Sequence, residues 1–221
     1  KNDLISNITH EFKTPIATIS VALESLKSFD GIDDKKKTKI YLDMSSEHLT
    51  KLNLMVEKLL ETATLDSGNL ELHKTPINVI DLLQTIVAKH QMQTESVTID
   101  FDPKQTLSDV KVDVFHFENA INNIIDNAIK YGGNQIWIEI SQNSSSFTIS
   151  ISDSGNSLNN VNKDQIFEKF YRVSKGNTHN IKGFGIGLYY TKKIIEKHDG
   201  TILLNLKKTH TTFKLTLPND A

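Results

Sequence analysis

Residues 4–26 read LISNITHEFKTPIATISVALESL. Apolar side chains recur in this stretch at steps of three and four residues, namely Ile5, Ile8, Phe12, Ile16, Ile19, Leu23 and Leu26. This spacing places them on one stripe of an α-helix. Pro15 interrupts the stripe, because proline lacks an N–H and crowds the carbonyl group of Glu11. We therefore expect a long helix with a bend or a loosened turn just after His10.

A second stripe with helical spacing follows a break at residues 29–34. Its members are Leu42, Leu49, Leu52, Val56, Leu59 and Ala63. The stripe ends at Asp66-Ser67-Gly68, where Gly68 suits a helix C-cap. Two antiparallel helices of about 25 residues leave half of each stripe exposed, and a second copy would bury it in a four-helix bundle. The pattern predicts an all-α helical hairpin over residues 1–68 that forms a homodimer.

Residues 69–221 mix short alternating segments with helical ones. We expect strands at 70–73, 97–101, 135–141, 147–153, 201–206 and 212–217, and helices at 76–91, 114–130 and 186–198. Because strands and helices do not alternate strictly, this order predicts an α+β sandwich with its helices on one face of the sheet.

The composition excludes several classes of protein. The formal net charge of −2 gives no electrostatic footprint for nucleic acid and so argues against a nucleic-acid-binding protein. The absence of cysteine excludes disulfides, thiolate zinc sites and cysteine nucleophiles. No apolar run approaches the roughly 20 residues that span a bilayer, and no signal peptide is present. Since the chain starts at Lys1, we expect a fragment of a longer protein that makes no direct membrane contact itself.

The segment Thr9-His10-Glu11-Phe12-Lys13-Thr14-Pro15 is the first candidate for chemistry. A neutral imidazole is a competent nucleophile near neutral pH. Glu11 directly follows His10 and is placed to hold or deprotonate its ring, and Thr14 lies one helical turn further on. A lone helical histidine is more often an ordinary surface residue. The other histidines show no ligand spacing and are interpreted as ordinary surface or core residues: His48, His73, His90, His116, His179, His198 and His210.

The helix at 114–130 carries the second candidate. Asn123 and Asn127 are four residues apart and share one face, and Lys130 follows. Amide oxygens suit Mg²⁺, and a lysine suits phosphate. The alternative is a solvated polar face.

Glycine gives the third signal, since five of the ten glycines lie between Gly155 and Gly187. Asp153-Ser154-Gly155 ends a strand, and Gly183-Phe184-Gly185-Ile186-Gly187-Leu188 opens a helix whose free N–H groups suit phosphate. The spacing matches neither common nucleotide motif, and a flexible loop is the alternative. Between them, residues 166–172 form an apolar clip that ends at Arg172, a cation suited to a transferring phosphoryl group.

In this order, the motifs resemble those of the sensor histidine kinases of two-component signalling. Residues 9–15 are similar to the H box, 123–131 to the N box, 153–155 to the first glycine box, 167–170 to the F box and 183–188 to the second glycine box. The resemblance covers essentially the whole chain. It implies a dimerisation and phosphotransfer hairpin at 1–68, followed by a Bergerat-type ATP-binding domain at 69–221.

The resemblance also implies roles for individual residues. His10 would be the phosphoacceptor, Glu11 its general base, and Thr14 would position water for removing phosphate from a partner. Asn127, assisted by Asn123, would hold Mg²⁺. The remaining ATP contacts would come from Lys130, Tyr131, Asp153, Gly155, Tyr171, Arg172, Gly183, Gly185, Ile186, Gly187, Leu188 and Thr212. The phosphoryl group would pass to an aspartate of a response regulator. The fragment would be cytoplasmic, within a parent protein anchored in the inner membrane.

Three other classes compete with this interpretation. A mechanical ATPase of the gyrase B or MutL type would share the asparagine helix but lack the hairpin with His10. A non-catalytic signalling scaffold would bind nucleotide poorly and act through its helical bundle. The alternative function is a catalytically weak nucleotide-binding scaffold or a phosphatase-biased relative. A metalloenzyme would need histidines at ligand spacing.

One position departs from the family pattern. The first glycine box usually carries a second glycine, and Ser157 stands there. If that residue requires a positive φ, serine costs roughly 1 kcal/mol. We expect Ser157→Gly to tighten ATP binding or to change turnover, as measured by nucleotide titration and autophosphorylation rate. Equal affinity and turnover in the two proteins would contradict this expectation.

Overall fold

The computed structural model describes residues 2–28, 34–68, 70–104, 106–155, 158, 163–173 and 185–220. The chain forms two compact units, Lys1–Asn69 and Leu70–Ala221. Residues 29–33 of the predicted break, Ser157 and Gly183 lie outside the described residues, and so does the side chain of His10. No helix within the described ranges is long and apolar enough to cross a membrane.

The first unit is a pair of long helices, as predicted. Helix α1 spans Asn2–Ser28 and continues through Pro15, and helix α2 spans Lys35–Asp66. The side chain of Asp34 caps α2 by accepting from the N–H groups of the second and third residues after it. At the other end, Gly68 has a φ of +74°, the left-handed conformation that its predicted role in ending the helix requires.

The hairpin buries little of its apolar surface. Met55 and Leu65 of α2 are buried, together with Pro15 and Ala22 of α1. Other large apolar side chains of the described hairpin remain 45–63% exposed: Ile16, Val21, Leu23, Ile40, Leu42, Leu49, Leu54, Val56 and Leu60. The sequence analysis anticipated such an exposed apolar surface on a lone hairpin.

The second unit is a two-layer α/β sandwich. In chain order it contains β1 (Thr75–Ile77), α3 (Val79–Gln93), β2 (Thr98–Phe101), β3 (Val110–Val112), α4 (Val114–Tyr131), β4 (Gln135–Gln142), β5 (Ser146–Asp153), α5 (Gly187–Lys197), β6 (Thr201–Leu206) and β7 (Thr211–Pro218). The main sheet has the order β2-β4-β5-β7-β6, in which only the β2–β4 pair is parallel. Strands β1 and β3 form a separate antiparallel pair.

One face of the main sheet forms the core with the helices. Inward-facing residues alternate along the central strands, for example Phe147, Ile149 and Ile151 on β5. They belong to one apolar cluster with Leu83 of α3, with Ile195 of α5, and with the buried face of α4 that includes Phe117, Ile121, Ile124 and Ile125. This arrangement confirms the predicted sandwich.

Two predicted boundaries are wrong. Residues 70–74 form no strand, and β1 begins only at Thr75. Leu70 and Leu72 are half-buried as their alternation indicates, but no neighbouring strand pairs with them. The helix predicted from Pro76 starts at Val79, because Pro76 pairs with β3 and the Asn78 side chain caps the helix. The short strand β3 was not predicted.

The buried face of α4 should dominate the stability of the second unit. Ile124 is fully buried, so Ile124→Ala should lower the unfolding free energy by about 3 kcal/mol. Leu203 of β6 is 56% exposed, and Leu203→Ala should change it by less than about 1 kcal/mol. Trp137, the only tryptophan, lies in β4, so its fluorescence during urea unfolding reports this unit. Equal losses in the two variants would contradict the assigned core.

Candidate functional site

Helix α4 presents the predicted asparagines on its polar side. Asn123 and Asn127 are half-buried, while Ala120, Ile124 and Ala128 on the adjoining face are buried. Lys130 follows one turn later, half-exposed, with its Nζ 4.0 Å from a carboxylate oxygen of Asp126. The helix therefore carries amide oxygens and a cation along one accessible side.

Asp153 lies at the end of β5 and is only 5% exposed. Its Oδ1 accepts a hydrogen bond of 2.9 Å from the N–H of Gly155. Burial raises the pKa of this carboxyl group from 3.8 to about 6, and the Gly155 hydrogen bond opposes the rise. Among the described residues no cation pairs with it, and a desolvated carboxylate of this kind is typical of a ligand-binding group.

Glycines let the backbone approach this carboxyl group closely. A Cβ atom on Gly132 would lie 2.5 Å from Cγ of Asp153, and one on Gly155 would lie 2.8 Å from the carbonyl oxygen of Tyr131. The Ser154 hydroxyl donates to the carbonyl oxygen of Gly132 at 3.1 Å. The end of α4 and the end of β5 are thereby held at a separation that side chains at these glycines would prevent.

Helix α5 begins beside the same side of α4. A Cβ atom on Gly187 would lie 3.1 Å from Oδ1 of Asn123. Ile186 occupies the N-cap position, and its apolar side chain cannot cap the helix. The first-turn N–H groups of α5 and the positive end of its dipole thus lie next to an amide of α4, an arrangement that favours an anion.

The predicted F box and second glycine box are in direct contact. Phe170 is buried with a φ of +66°, and its N–H donates to the carbonyl oxygen of Gly185 at 2.8 Å. Gly185 itself has a φ of +65°, and a Cβ atom there would lie 2.6 Å from the carbonyl oxygen of Tyr171. This contact fixes where the chain returns to begin α5.

The other predicted residues of the second unit are placed as follows. Tyr131 is 37% exposed at the end of α4, and Tyr171 and Arg172 are half-buried directly after Phe170. Ile186 is buried, and Leu188 packs against the apolar core. Except for Thr212, the described candidates of this unit therefore lie on α4, at the end of β5, or on the residues that flank the start of α5.

Thr212 lies away from the others. Its hydroxyl pairs with that of Ser152 at 2.8 Å, on the opposite face of the sheet from Asp153. The preceding residue, Thr211, is buried, pairs with Asp153 across the strands and donates to the carbonyl oxygen of Gly155 at 3.2 Å. Alternation with the apolar residues Phe213 and Leu215 would have selected Thr211 from the sequence.

The candidates of the first unit lie in α1. Glu11 is half-buried and Thr14 is exposed, and the Thr14 carbonyl accepts a hydrogen bond of 3.0 Å from the Thr18 hydroxyl. His10 and Glu11 are successive residues of one helix.

Comparison with protein families matches both units. Residues 1–68 match the His Kinase A (phospho-acceptor) domain, and residues 112–221 match the histidine kinase-, DNA gyrase B- and HSP90-like ATPase family. The chain belongs to the sensor histidine kinases of two-component signalling. The predicted family is confirmed, and a mechanical ATPase does not account for the matched phospho-acceptor domain.

Similar curated proteins are sensor kinases. The sensor protein RprX of Bacteroides fragilis is 34% identical over 208 residues, which cover 91% of this chain and 40% of that protein. The sensor protein kinase WalK of Staphylococcus aureus is 29% identical over 224 residues, which cover 99% of this chain and 36% of that protein. The chain thus spans well under half the length of these relatives.

Solved structures share the fold. The Acinetobacter baumannii histidine kinase AdeS has a TM-score of 0.72 at 21% identity, covering 96% of this chain and 98% of that one. The histidine kinase ThkA in complex with the response regulator protein TrrA has a TM-score of 0.73 at 22% identity, covering 98% of this chain and 61% of that one.

The site of this sensor kinase fits a nucleotide. The buried carboxylate of Asp153, which glycines approach closely, suits the amino group of a base, and the N–H groups at the start of α5 suit phosphate. The amide oxygens of Asn123 and Asn127 are hard ligands of the kind that Mg²⁺ accepts.

The raised pKa of Asp153 gives the second unit a distinct pH dependence. The unfolded chain ionises this group near 3.8 and the folded chain near 6, so its contribution to stability is lost as pH rises through this interval. Asp153→Asn should remove that loss. The difference in unfolding free energy between the variant and the parent should therefore shift in favour of the variant by about 2 to 3 kcal/mol between pH 4 and pH 7. Urea unfolding followed by Trp137 fluorescence measures it. Asp109→Asn, an exposed control, should keep the parent's pH dependence. Identical pH profiles for the parent and Asp153→Asn would contradict the assignment.

Proposed function

We propose that this chain is an ATP-dependent protein-histidine kinase that phosphorylates its own His10 and passes the phosphoryl group to an aspartate of a response regulator. One observation carries the proposal. A single chain joins a matched phospho-acceptor hairpin containing His10 to an ATPase-type unit in which Asp153, the asparagine side of α4 and the start of α5 lie together.

Nucleotide binding falls to the second unit. The Asp153 carboxylate would accept a hydrogen bond from the amino group of adenine, beside the close backbone approach that Gly132 and Gly155 allow. Asn123 and Asn127 would hold Mg²⁺, which neutralises phosphate charge during transfer. Lys130, Arg172 and the first N–H groups of α5 would bind the phosphates, and Lys130 would leave Asp126 to do so. Thr211 rather than Thr212 is proposed as the threonine beside adenine.

Chemistry falls to the first unit. A ring nitrogen of His10 would form the N–P bond while the bond between the γ-phosphorus and the oxygen of ADP breaks. Glu11 would accept the proton that the imidazole loses. Protein groups contribute placement and charge neutralisation more than covalent chemistry. When the phosphate is removed from the response regulator, Thr14 would orient the water that attacks its phosphorylated aspartate.

A dimer fits the surface of the hairpin. Leu42, Leu49 and Val56 recur every seven residues along α2 and are 45–55% exposed. A seven-residue repeat of apolar residues is the pattern by which helices pack into bundles. We include a homodimer through the hairpin in the proposal. The partner is proposed to be a receiver domain, in line with the complex that ThkA forms with TrrA. By analogy with the longer sensor proteins, we propose that the parent protein is membrane-anchored and that these residues lie in the cytoplasm.

The assignment of His10 is tested with γ-labelled ATP and Mg²⁺. The parent chain should acquire label that is stable in base and labile in acid, as a phosphorus–nitrogen bond requires. His10→Gln should lose this label while keeping nucleotide affinity, measured by titration with a fluorescent ATP analogue. His210→Gln, a control in the β6–β7 connection, should label normally. Label that persists in His10→Gln would remove the assignment of the phosphoacceptor.

A further inference from the structure

The segment 70–74, which follows the hairpin unit, is held on the second unit by side chains rather than by a sheet. We call it the anchor segment. Lys197 Nζ donates to the Leu70 carbonyl oxygen at 3.0 Å, and the His73 N–H donates to Asp113 Oδ2 at 2.8 Å. Lys74 Nζ lies 3.7 Å from Asp199 Oδ2. The contacts of the anchor segment therefore reach both the start of α4 and the end of α5.

Asp113 connects these elements. It is 6% exposed and is the N-cap of α4, where its Oδ1 accepts from the His116 N–H at 3.0 Å. Its other carboxylate oxygen holds His73, and its own backbone N–H donates to His198 Nε2 at 2.9 Å. One residue thus links the anchor segment, α4 and the residue that ends α5.

The protonation state of His198 follows from these contacts. A backbone N–H can only donate, so Nε2 of His198 has to be an unprotonated acceptor. Its Nδ1 lies 2.8 Å from the Ile194 carbonyl oxygen, which can only accept, so Nδ1 carries the proton. The fully buried imidazole is therefore neutral, in the Nδ1–H tautomer. A proton added to Nε2 would face the Asp113 N–H and leave that donor without its acceptor.

The pair lies at the far end of the two helices that form the candidate nucleotide site. Helices α4 and α5 meet at Asn123 and Gly187, whereas His198 and Asp113 join the end of α5 to the start of α4. Thr191 adds a hydrogen bond to the Ala120 carbonyl between the two positions. A shift at the His198 end would therefore act on elements that also form the site.

We propose that neutral His198 and Asp113 form a proton-sensitive anchor that positions α4 against α5 and holds the anchor segment on the catalytic unit, and that protonation of His198 releases the segment. Both are positioning residues, remote from the reacting atoms. The inference goes beyond the proposed kinase activity, because it assigns a pH-dependent control to the segment through which the hairpin joins the catalytic unit.

The surrounding charges support an anchor that is closed at neutral pH. Burial lowers the pKa of His198, and Lys74 of the anchor segment and His116 of α4 add to this effect. The hydrogen bond to Ile194 and the charge of Asp113 oppose it. Two backbone hydrogen bonds lower the pKa of Asp113 against the effect of its burial, so Asp113 stays ionised. Because the folded pKa of His198 is lowered, the anchor is stable above pH 6.5 and weakens as pH falls below it.

The test follows amide hydrogen exchange by NMR in the full 221-residue chain at pH 7.5 and 5.5, corrected for intrinsic exchange. Protection of the His73 amide should fall by up to about tenfold at pH 5.5, the most that uptake of one proton by His198 can cause over this interval, while the core amides of Ile149 and Ile151 stay protected. His198→Gln should keep His73 protected at both pH values, because glutamine can accept from Asp113, donate to Ile194 and not titrate. His210→Gln should behave like the parent.

Two results would contradict the proposal that His198 and Asp113 form a proton-sensitive anchor. One is equal protection of the His73 amide at both pH values in the parent. The other is simultaneous loss at the core amides, which would indicate global unfolding. If His198→Gln does not fold, the parent protein alone tests the proposal. The ¹⁵N shifts of the His198 imidazole then have to show the Nδ1–H tautomer at pH 7.5 and to change with pH together with the protection of the His73 amide. Exchange does not depend on phosphorylation, so this outcome is independent of the labelling test of His10.

Discussion

Helix α4 has to bury one side completely, because Phe117, Ile121 and Ile124 provide the apolar surface that covers the sheet. This burial, on the order of 2 kcal/mol for each large side chain, fixes the rotation of the helix about its axis. Asn123 and Asn127 then have only the accessible side left to them. The same rotation brings the end of the helix to Asp153 and its middle to the start of α5. The polar site is therefore a consequence of how the apolar side packs.

Much of this could be read from the sequence, because periodicity reports burial directly. The regular spacing in α1 and α4 and the alternation in β5 and β7 predicted these elements within two residues. Helix α2 was predicted too short, because it begins at Lys35, seven residues before the first apolar residue of its stripe. The prediction of strands failed where side chains are partly buried but the backbone does not pair with a neighbouring strand. Leu70 and Leu72 alternate as strand residues do, but a strand needs a partner, and which partner is available depends on the rest of the fold. The choice between Thr211 and Thr212 was available from alternation and was missed.

The contacts around His198 could not have been predicted in the same way. Its bond to Asp113 joins residues 85 apart in the chain, and a single histidine before a turn is an unremarkable sequence feature. The sequence interpretation grouped it with ordinary surface or core histidines. The structure places it in the core with both ring nitrogens engaged, a role set by tertiary packing alone. The candidate site, in contrast, could be predicted from the sequence, because each of its motifs is a contiguous segment whose residue types indicate their own chemistry.

The hydrogen bond between Phe170 and Gly185 has an evolutionary consequence. It holds Phe170 and Gly185 together, so the position at which α5 starts does not depend on how many residues lie between them. Homologues can therefore gain, lose or exchange residues in that stretch while α5 keeps its place, which leaves this part of the chain free to diverge.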